Sequence, residues 1–232
     1  MPRERGEIRG HPASPEAVVA AAHRLGSRSI AYTYTEPTIF FEYSYDIARL
    51  AHQTGIASVY VTNGYMTAEM LELFQGAGGE HGPWLDAANV DLKAFHDETY
   101  RRVCGARLQP VLDALVKMVE LGVWVEVTTL VVPGMNDSEG ELREMATFIA
   151  TQLGPHVPWH VSRFHPDYRM QDGMPTPPAT LQRAYELGRE AGLHYVYVGN
   201  LPGAGLEDTH CPGCGQAVIE RRGFHVVKGR TT

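Results

Sequence analysis

Asp91 and Lys93 stand two positions apart at the end of the apolar run Ala88-Asn-Val-Asp-Leu-Lys93. Residues two apart on a strand project to one face, so this spacing presents a carboxylate and an ammonium side by side. Such a pair can grip a zwitterion such as an amino acid, orient a partner for acid–base work, or close as a plain strand-end ion pair. Glu36 directly precedes Pro37; at a helix start a carboxylate serves as a cap or as a ligand-binding group. Thr62-Asn63-Gly64 ends another apolar run and reads as a turn or as polar groups offered at a strand end. His165, between Phe164 and Pro166, is either an acid–base candidate or a packed residue. Each is a weak signal alone; their recurrence at successive strand ends is what points to an enzyme.

A second group lies near the C-terminus, in His210-Cys211-Pro-Gly-Cys214-Gly215. Cys211 and Cys214 have the spacing of half a zinc ribbon, whose second Cys-x2-Cys falls about 15–20 residues later, at or beyond Thr232. Structural zinc takes four ligands; His210 and His225 are the candidates to help the two thiolates. Zinc binding, a half-knuckle without metal and a redox Cys-x-x-Cys stay open, the last lacking the strand–helix context of such motifs.

The elements that must position these residues are legible as six short apolar runs, each ending in polar residues and followed by a helical segment. They begin at Ser29, Ser58, Ala88, Trp124, Trp159 and Tyr195. Near-continuous apolar strands alternating with helices predict a parallel sheet covered on both faces. In a (β/α) barrel the chemistry sits at the C-terminal strand ends. Ser14 as N-cap with Pro15 at the first helical position opens a helix. Pro37 opens a long amphipathic helix to about Gln53, Thr67 caps another, and further helices are expected near 96–103, 109–121, 138–153 and 178–191. Gln75-Gly-Ala-Gly-Gly-Glu80 reads as a flexible connector. Residues 1–13 read as an arm, 14–200 as the barrel, and 201–232 as a linker plus a small separate knuckle.

Composition narrows the classes. Hydrophobic residues make up 44% of the 232, ample for a sizeable core. The net charge of −7 argues against a nucleic-acid partner, whose phosphates favour a basic face. No apolar stretch approaches the ~18 residues of a membrane span, and the N-terminus lacks the apolar core of a signal peptide; the expectation is a cytoplasmic protein with no membrane partner. Cys104, Cys211 and Cys214 are too few for a secreted disulfide framework.

Taken together, Tyr34-Thr-Glu36-Pro37, Val61-Thr62-Asn63-Gly-Tyr65, Val90-Asp91-Leu-Lys93, Val131-Val-Pro-Gly-Met-Asn136-Asp137 and Arg163-Phe-His165-Pro166 resemble the strand-end motifs of radical S-adenosylmethionine (SAM) enzymes. The likeness is to the glycyl-radical-activating group, which includes pyruvate formate-lyase-activating enzyme. Ala31-Tyr-Thr-Tyr-Thr-Glu-Pro-Thr38, Pro158-Trp-His-Val-Ser-Arg-Phe-His-Pro-Asp-Tyr168 and Tyr195-Val-Tyr-Val-Gly-Asn200 resemble the AmmeMemoRadiSam subfamily more specifically. The resemblance implies a partial, open (β/α)6 barrel. It also implies reductive cleavage of SAM by a [4Fe–4S] cluster to a 5′-deoxyadenosyl radical that abstracts hydrogen. Glu36 and Pro37 match the motif that holds the methionine amino group, with Tyr34 and Thr35 where the family has two glycines. Asp91 and Lys93 match an Asp-x-Lys pair near the methionine carboxylate and ribose. Thr62, Asn63, Thr128 and His165 match cofactor-cleft positions.

The family's Cys-x3-Cys-x2-Cys triplet does not occur in this sequence. The resemblance implies that it lies upstream of the Ser14–Glu16 segment, together with the first barrel strand. The chain alone is therefore not expected to assemble a cluster, which needs its thiolates. An open edge beside Tyr32 and Tyr34 would favour dimers. Two other readings stay in play: a cluster-less barrel serving as a binding or scaffold module, and a metal-dependent barrel hydrolase using His160, His165 and Asp167. The substrate expected is a protein or a small molecule.

Overall fold

The computed structural model describes residues 11–76, 82–168, 170–171, 173–201, 203, 205–223 and 225–229. Most of the proposed 1–13 arm and residues 77–80 of the glycine-rich connector lie outside that set. The strands are β1 Ser29–Tyr32, β2 Ala57–Thr62, β3 Ala87–Asp91, β4 Trp124–Val131, β5 Trp159–Arg163 and β6 Val196–Gly199. They pair in the order β1-β2-β3-β4-β5-β6, and every pair is parallel. The connecting helices are α1 Pro15–Arg24, α2 Phe41–His52, α3 Ala68–Phe74, α4 Asp97–Thr99, α5 Gln109–Glu120, α6 Glu139–Phe148 and α7 Pro178–Glu190. Two caps form as the sequence dictates: Ser14 Oγ accepts from Ala17 N at 3.3 Å and Thr67 Oγ1 from Met70 N at 3.3 Å. The long helix expected from Pro37 begins instead with a 3-10 turn, Pro37–Phe40, before α2.

Parallel strands joined in sequential order by right-handed crossovers place every helix on the same side of the sheet. Helices therefore cover one face, and the expectation of cover on both faces is corrected. The burial of β4 shows it: Val125, Val127, Thr129 and Val131 are buried, while Trp124, Glu126, Thr128 and Leu130 between them are not. On the covered side Tyr60 and Phe74 meet edge-on at 5.2 Å, Phe41 joins at 5.1 Å, and fully buried Trp159 donates its indole N–H to Thr129 Oγ1 at 3.0 Å. Gly188 of α7 lets that helix approach closely; a Cβ there would lie 2.8 Å from Val196 Cγ2 and 3.1 Å from the Trp159 ring. The uncovered side is the concave wall of an open, partial barrel. At its β1 edge Tyr34 is 95% exposed.

A second sheet follows: β7 Thr209–His210, β8 Ala217–Arg222 and β9 His225–Gly229, antiparallel in that order. It is joined to the barrel by the Val198 N–H donating to Leu206 O at 3.0 Å and by a Tyr197–Thr209 hydroxyl contact of 2.9 Å. No helix among the described residues is long and apolar enough to cross a membrane.

Candidate functional site at the strand ends

Parallel strands in register bring their C-terminal ends to one edge. At that edge Glu36 caps the 3-10 turn, its Oε1 accepting from Thr38 N at 3.3 Å. The same oxygen accepts from the Thr62 hydroxyl at 2.6 Å, and Oε2 accepts from Asn63 N at 2.8 Å. Both readings of this segment thus hold at once: the carboxylate is a cap, and it is also tied to the end of β2. Each carboxylate oxygen has two lone pairs, and Oε2 accepts from one described donor, so it retains room for a further one. The Asn63-Gly64 turn is forced by space and geometry. Gly64 has φ +72°, and a Cβ on it would fall 2.7 Å from Val90 Cγ1. Thr62 is buried on the helix side, so it positions Glu36 and does not face the concave wall.

Asp91 and Lys93 flank fully buried Leu92 and share the opposite face. Lys93 Nζ donates to Asp91 Oδ2 at 2.8 Å, with both side chains about half exposed (45% and 42%). Screened pairs of this kind contribute little to stability, which leaves both ends available to a ligand. Thr128 lies opposite Asp91 in the β3–β4 register and donates to Asn89 Oδ1 at 2.8 Å. His165 follows β5 and is exposed. The structure thus forms two tight groups, Glu36–Thr62–Asn63 and Asp91–Lys93, with Thr128 beside the second.

Further residues hold this edge: Asn136 belongs to the Val131–Asp137 motif, and Tyr100, Glu141 and Thr176 carried no local signal. Asn136 is buried; its amide donates to the carbonyls of Lys93 at 2.7 Å and Leu130 at 2.9 Å, and its oxygen accepts from Val132 N at 2.7 Å. Buried Tyr100 accepts from Lys93 N at 3.0 Å, and burial pushes its phenol up to about 12. Buried Glu141 accepts from Phe95 N at 2.7 Å. Thr176 ties the segment after β5 to β4, accepting from Phe164 N at 2.9 Å and donating to Val131 O at 2.6 Å.

His160 does not join His165 and Asp167. It points into the concave wall and bonds Glu126 Oε2 at 2.7 Å. Among the described residues no three His, Cys, Asp or Glu side chains gather as a preformed metal site; His160, His165 and Asp167 are not brought together as the hydrolase reading requires. The knuckle itself is formed. Backbone N–H groups of Cys214 and Gly213 bond the Cys211 sulfur and lower its pKa, and Gly215 N donates to Cys211 O at 2.8 Å. Cys104 is exposed, and partial desolvation of its sulfur raises its pKa against the pull of the nearby Lys93 ammonium. A [4Fe–4S] cluster of the family type takes three neighbouring thiolates. Cys211 and Cys214 in the turn between β7 and β8, and Cys104 beside Lys93, do not fit it.

Comparison with known proteins agrees with this architecture. An uncharacterized protein of Methanocaldococcus jannaschii is 43% identical over 219 residues, covering 94% of this chain. The chain spans 63% of that relative's length. Among solved structures, a domain of pyruvate-formate lyase-activating enzyme from Bacteroides vulgatus superposes with a TM-score of 0.62 at 16% identity, covering 74% of this chain and 98% of that one. A radical SAM methyltransferase from Sphaerobacter thermophilus gives 0.61 at 18% identity, covering 88% and 60%. At these identities the two structures speak for the fold. The sequence matches the Radical SAM superfamily over residues 2–146, more than half of its length, and the chain belongs to that superfamily.

Proposed function

We propose that this chain is the SAM-binding barrel of a radical SAM enzyme of the AmmeMemoRadiSam type, related to the glycyl-radical-activating enzymes. Membership in the superfamily implies SAM-dependent radical chemistry supported by a [4Fe–4S] cluster. In this reading Glu36 accepts the methionine ammonium through its spare lone pair. Lys93 swings from Asp91 to the methionine carboxylate, and Asp91 accepts from the ribose hydroxyls. Thr128 and His165 line the cleft, and Thr62 and Asn63 hold Glu36 in place. The observation that carries the reading is the pair of groups, Glu36–Thr62–Asn63 and Asp91–Lys93, at one edge of a parallel barrel, where barrel enzymes do their chemistry.

The substrate is a protein or a small molecule, acted on by hydrogen abstraction. Cys104, Cys211 and Cys214 do not fit the thiolate set such a cluster takes. That mismatch also favours a second reading, a cluster-less barrel retained as a binding or scaffold module.

Calorimetry of the chain with SAM tests the assignment. Weak saturable binding is expected, reduced further by Glu36→Gln and by Lys93→Ala separately. Binding indifferent to both substitutions removes the site. After anaerobic iron–sulfide reconstitution the chain should lack a stoichiometric cluster absorption band and release no 5′-deoxyadenosine.

A further inference from the structure

A cavity of about 800 Å3 lies between the concave wall at β4–β6 and the C-terminal sheet. That volume is within the range of small-molecule sites, roughly 300–1,000 Å3. None of Glu36, Thr62, Asn63, Asp91, Lys93 and His165 lines it. We propose that it is a separate binding site for an organic cation with an apolar body.

The argument rests on charge and on aromatic surface. Glu126 enters from β4, and its carboxylate accepts from His160 Nε2 at 2.7 Å. The His160 ring is held in turn by stacking on Tyr197, with centroids 5.2 Å apart and planes at 29°. The hydrogen bond from His160 keeps the Glu126 carboxyl below its ordinary range against the opposing effect of burial, so it is charged at neutral pH. Glu207 adds a second carboxylate from the C-terminal side.

The opposing cation, Arg221, is already committed. Its guanidinium donates to Glu207 O at 2.9 Å and to Thr209 Oγ1 at 2.7 Å, and lies 5.5 Å from the Tyr197 centroid. Its hydrogen bonds hold it within the C-terminal segment, and its one contact with β6 is the Tyr197 ring. The lining thus holds two carboxylates, Glu126 and Glu207, and one guanidinium that already has hydrogen-bond partners, with the His160 imidazole bonded to Glu126. Trp124, a large aromatic side chain on the inner wall, is 56% exposed. Trp124 and Tyr195 both face the cavity and offer π surfaces, which attract a cation. An apolar body covers such walls while an ammonium meets Glu126.

Glu126 and Thr128 share the concave face two residues apart, about 7 Å along the strand. A ligand at Glu126 therefore sits deeper on the same wall as Thr128.

Three probes sharing one ring decide it: 2-phenylethylamine, 2-phenylethanol and 3-phenylpropionate, titrated into the 232-residue chain by calorimetry. The amine should bind at least tenfold more tightly than the alcohol, with the carboxylate weakest. Glu126→Gln should erase the amine's advantage, with folding checked by circular dichroism. Ile219→Trp, which fills the cavity from the C-terminal sheet, should abolish amine binding by an independent route. Equal binding of all three probes makes the cavity a plain apolar cleft and overturns the proposal. So does preference for the carboxylate, which would assign the site to Arg221, and so does binding of none. SAM titrated into both variants should behave as in the parent chain, so that failure here and failure of the strand-end assignment are read separately.

Discussion

The two faces of the six-stranded sheet are built from the same strands and have almost opposite chemistry. The helix-covered face holds Tyr60, Val90, Val127, Trp159 and Val161, each fully buried. The concave face holds Asn89, Asp91, Trp124, Glu126, Thr128, His160 and Tyr197, partly exposed and satisfied by cross-strand contacts such as Thr128–Asn89 and Glu126–His160. The first face removes apolar area from water. The second spends almost none of its surface that way and keeps its polar groups at fixed positions. One-residue alternation along each strand therefore separates folding from chemistry, and that separation can be attacked directly.

The largest effect should come from a matched pair of tryptophans. Trp159 is fully buried, donates to Thr129 and packs under Gly188; Trp159→Ala should cost about 3–5 kcal/mol, the range for deleting a large aromatic from a core. Trp124 sits on the concave wall at 56% exposure, and Trp124→Ala should cost less than about 1 kcal/mol. Urea unfolding of both variants checks this. Equal losses would mean that the concave face carries folding energy after all.

A smaller but still substantial loss is expected where the two functions meet. Asn136 is buried and holds the carbonyls of Lys93 and Leu130 and the amide of Val132. Asn136→Ala removes the side-chain partner of three part-buried backbone groups and should cost about 3 kcal/mol. Because it releases the backbone at Lys93, it should also weaken SAM binding in the calorimetric assay. A variant as stable as the parent would show that water or a neighbour takes over these bonds.

The difference between the faces also explains what could be read in the sequence. The six strands and their helices were legible because each strand carries an alternate set of Val, Ile, Tyr or Trp for the core, and because Ser14 and Thr67 are local caps. Asp91 and Lys93 were legible as a pair because two-residue spacing is a local fact. The one-sided cover was not. Trp124, Tyr195 and Tyr197 made the strands look apolar throughout, although two of these aromatics lie on the open wall and the third faces its cavity. Glu126 and His160 are 34 residues apart, and Asn136 reaches Lys93 across 43. Such contacts are fixed by strand register and loop path, which leave no periodic trace. The docking of the C-terminal sheet on Tyr197 through Thr209 and Arg221 was hidden for the same reason.

The smallest expected effect concerns the concave face as a source of stability, through Glu126. Its carboxyl is held below the ordinary value of 4.5, first by the hydrogen bond from His160. A carboxyl with a depressed folded pKa binds fewer protons in the folded than in the unfolded chain across that window, so folding gains from its ionisation. The gain is present above about pH 4.5 and disappears as pH falls through the depressed value. The side chain is 36% exposed, and solvent screening limits the contribution to below about 1 kcal/mol. Urea midpoints of the parent and of Glu126→Gln should differ slightly at pH 7 and converge as pH falls below 4. If the gap stays constant, the hydrogen bond does not depend on charge. If it widens on acidification, the sign is wrong, and the Glu126–His160 pair strains the wall it was taken to support.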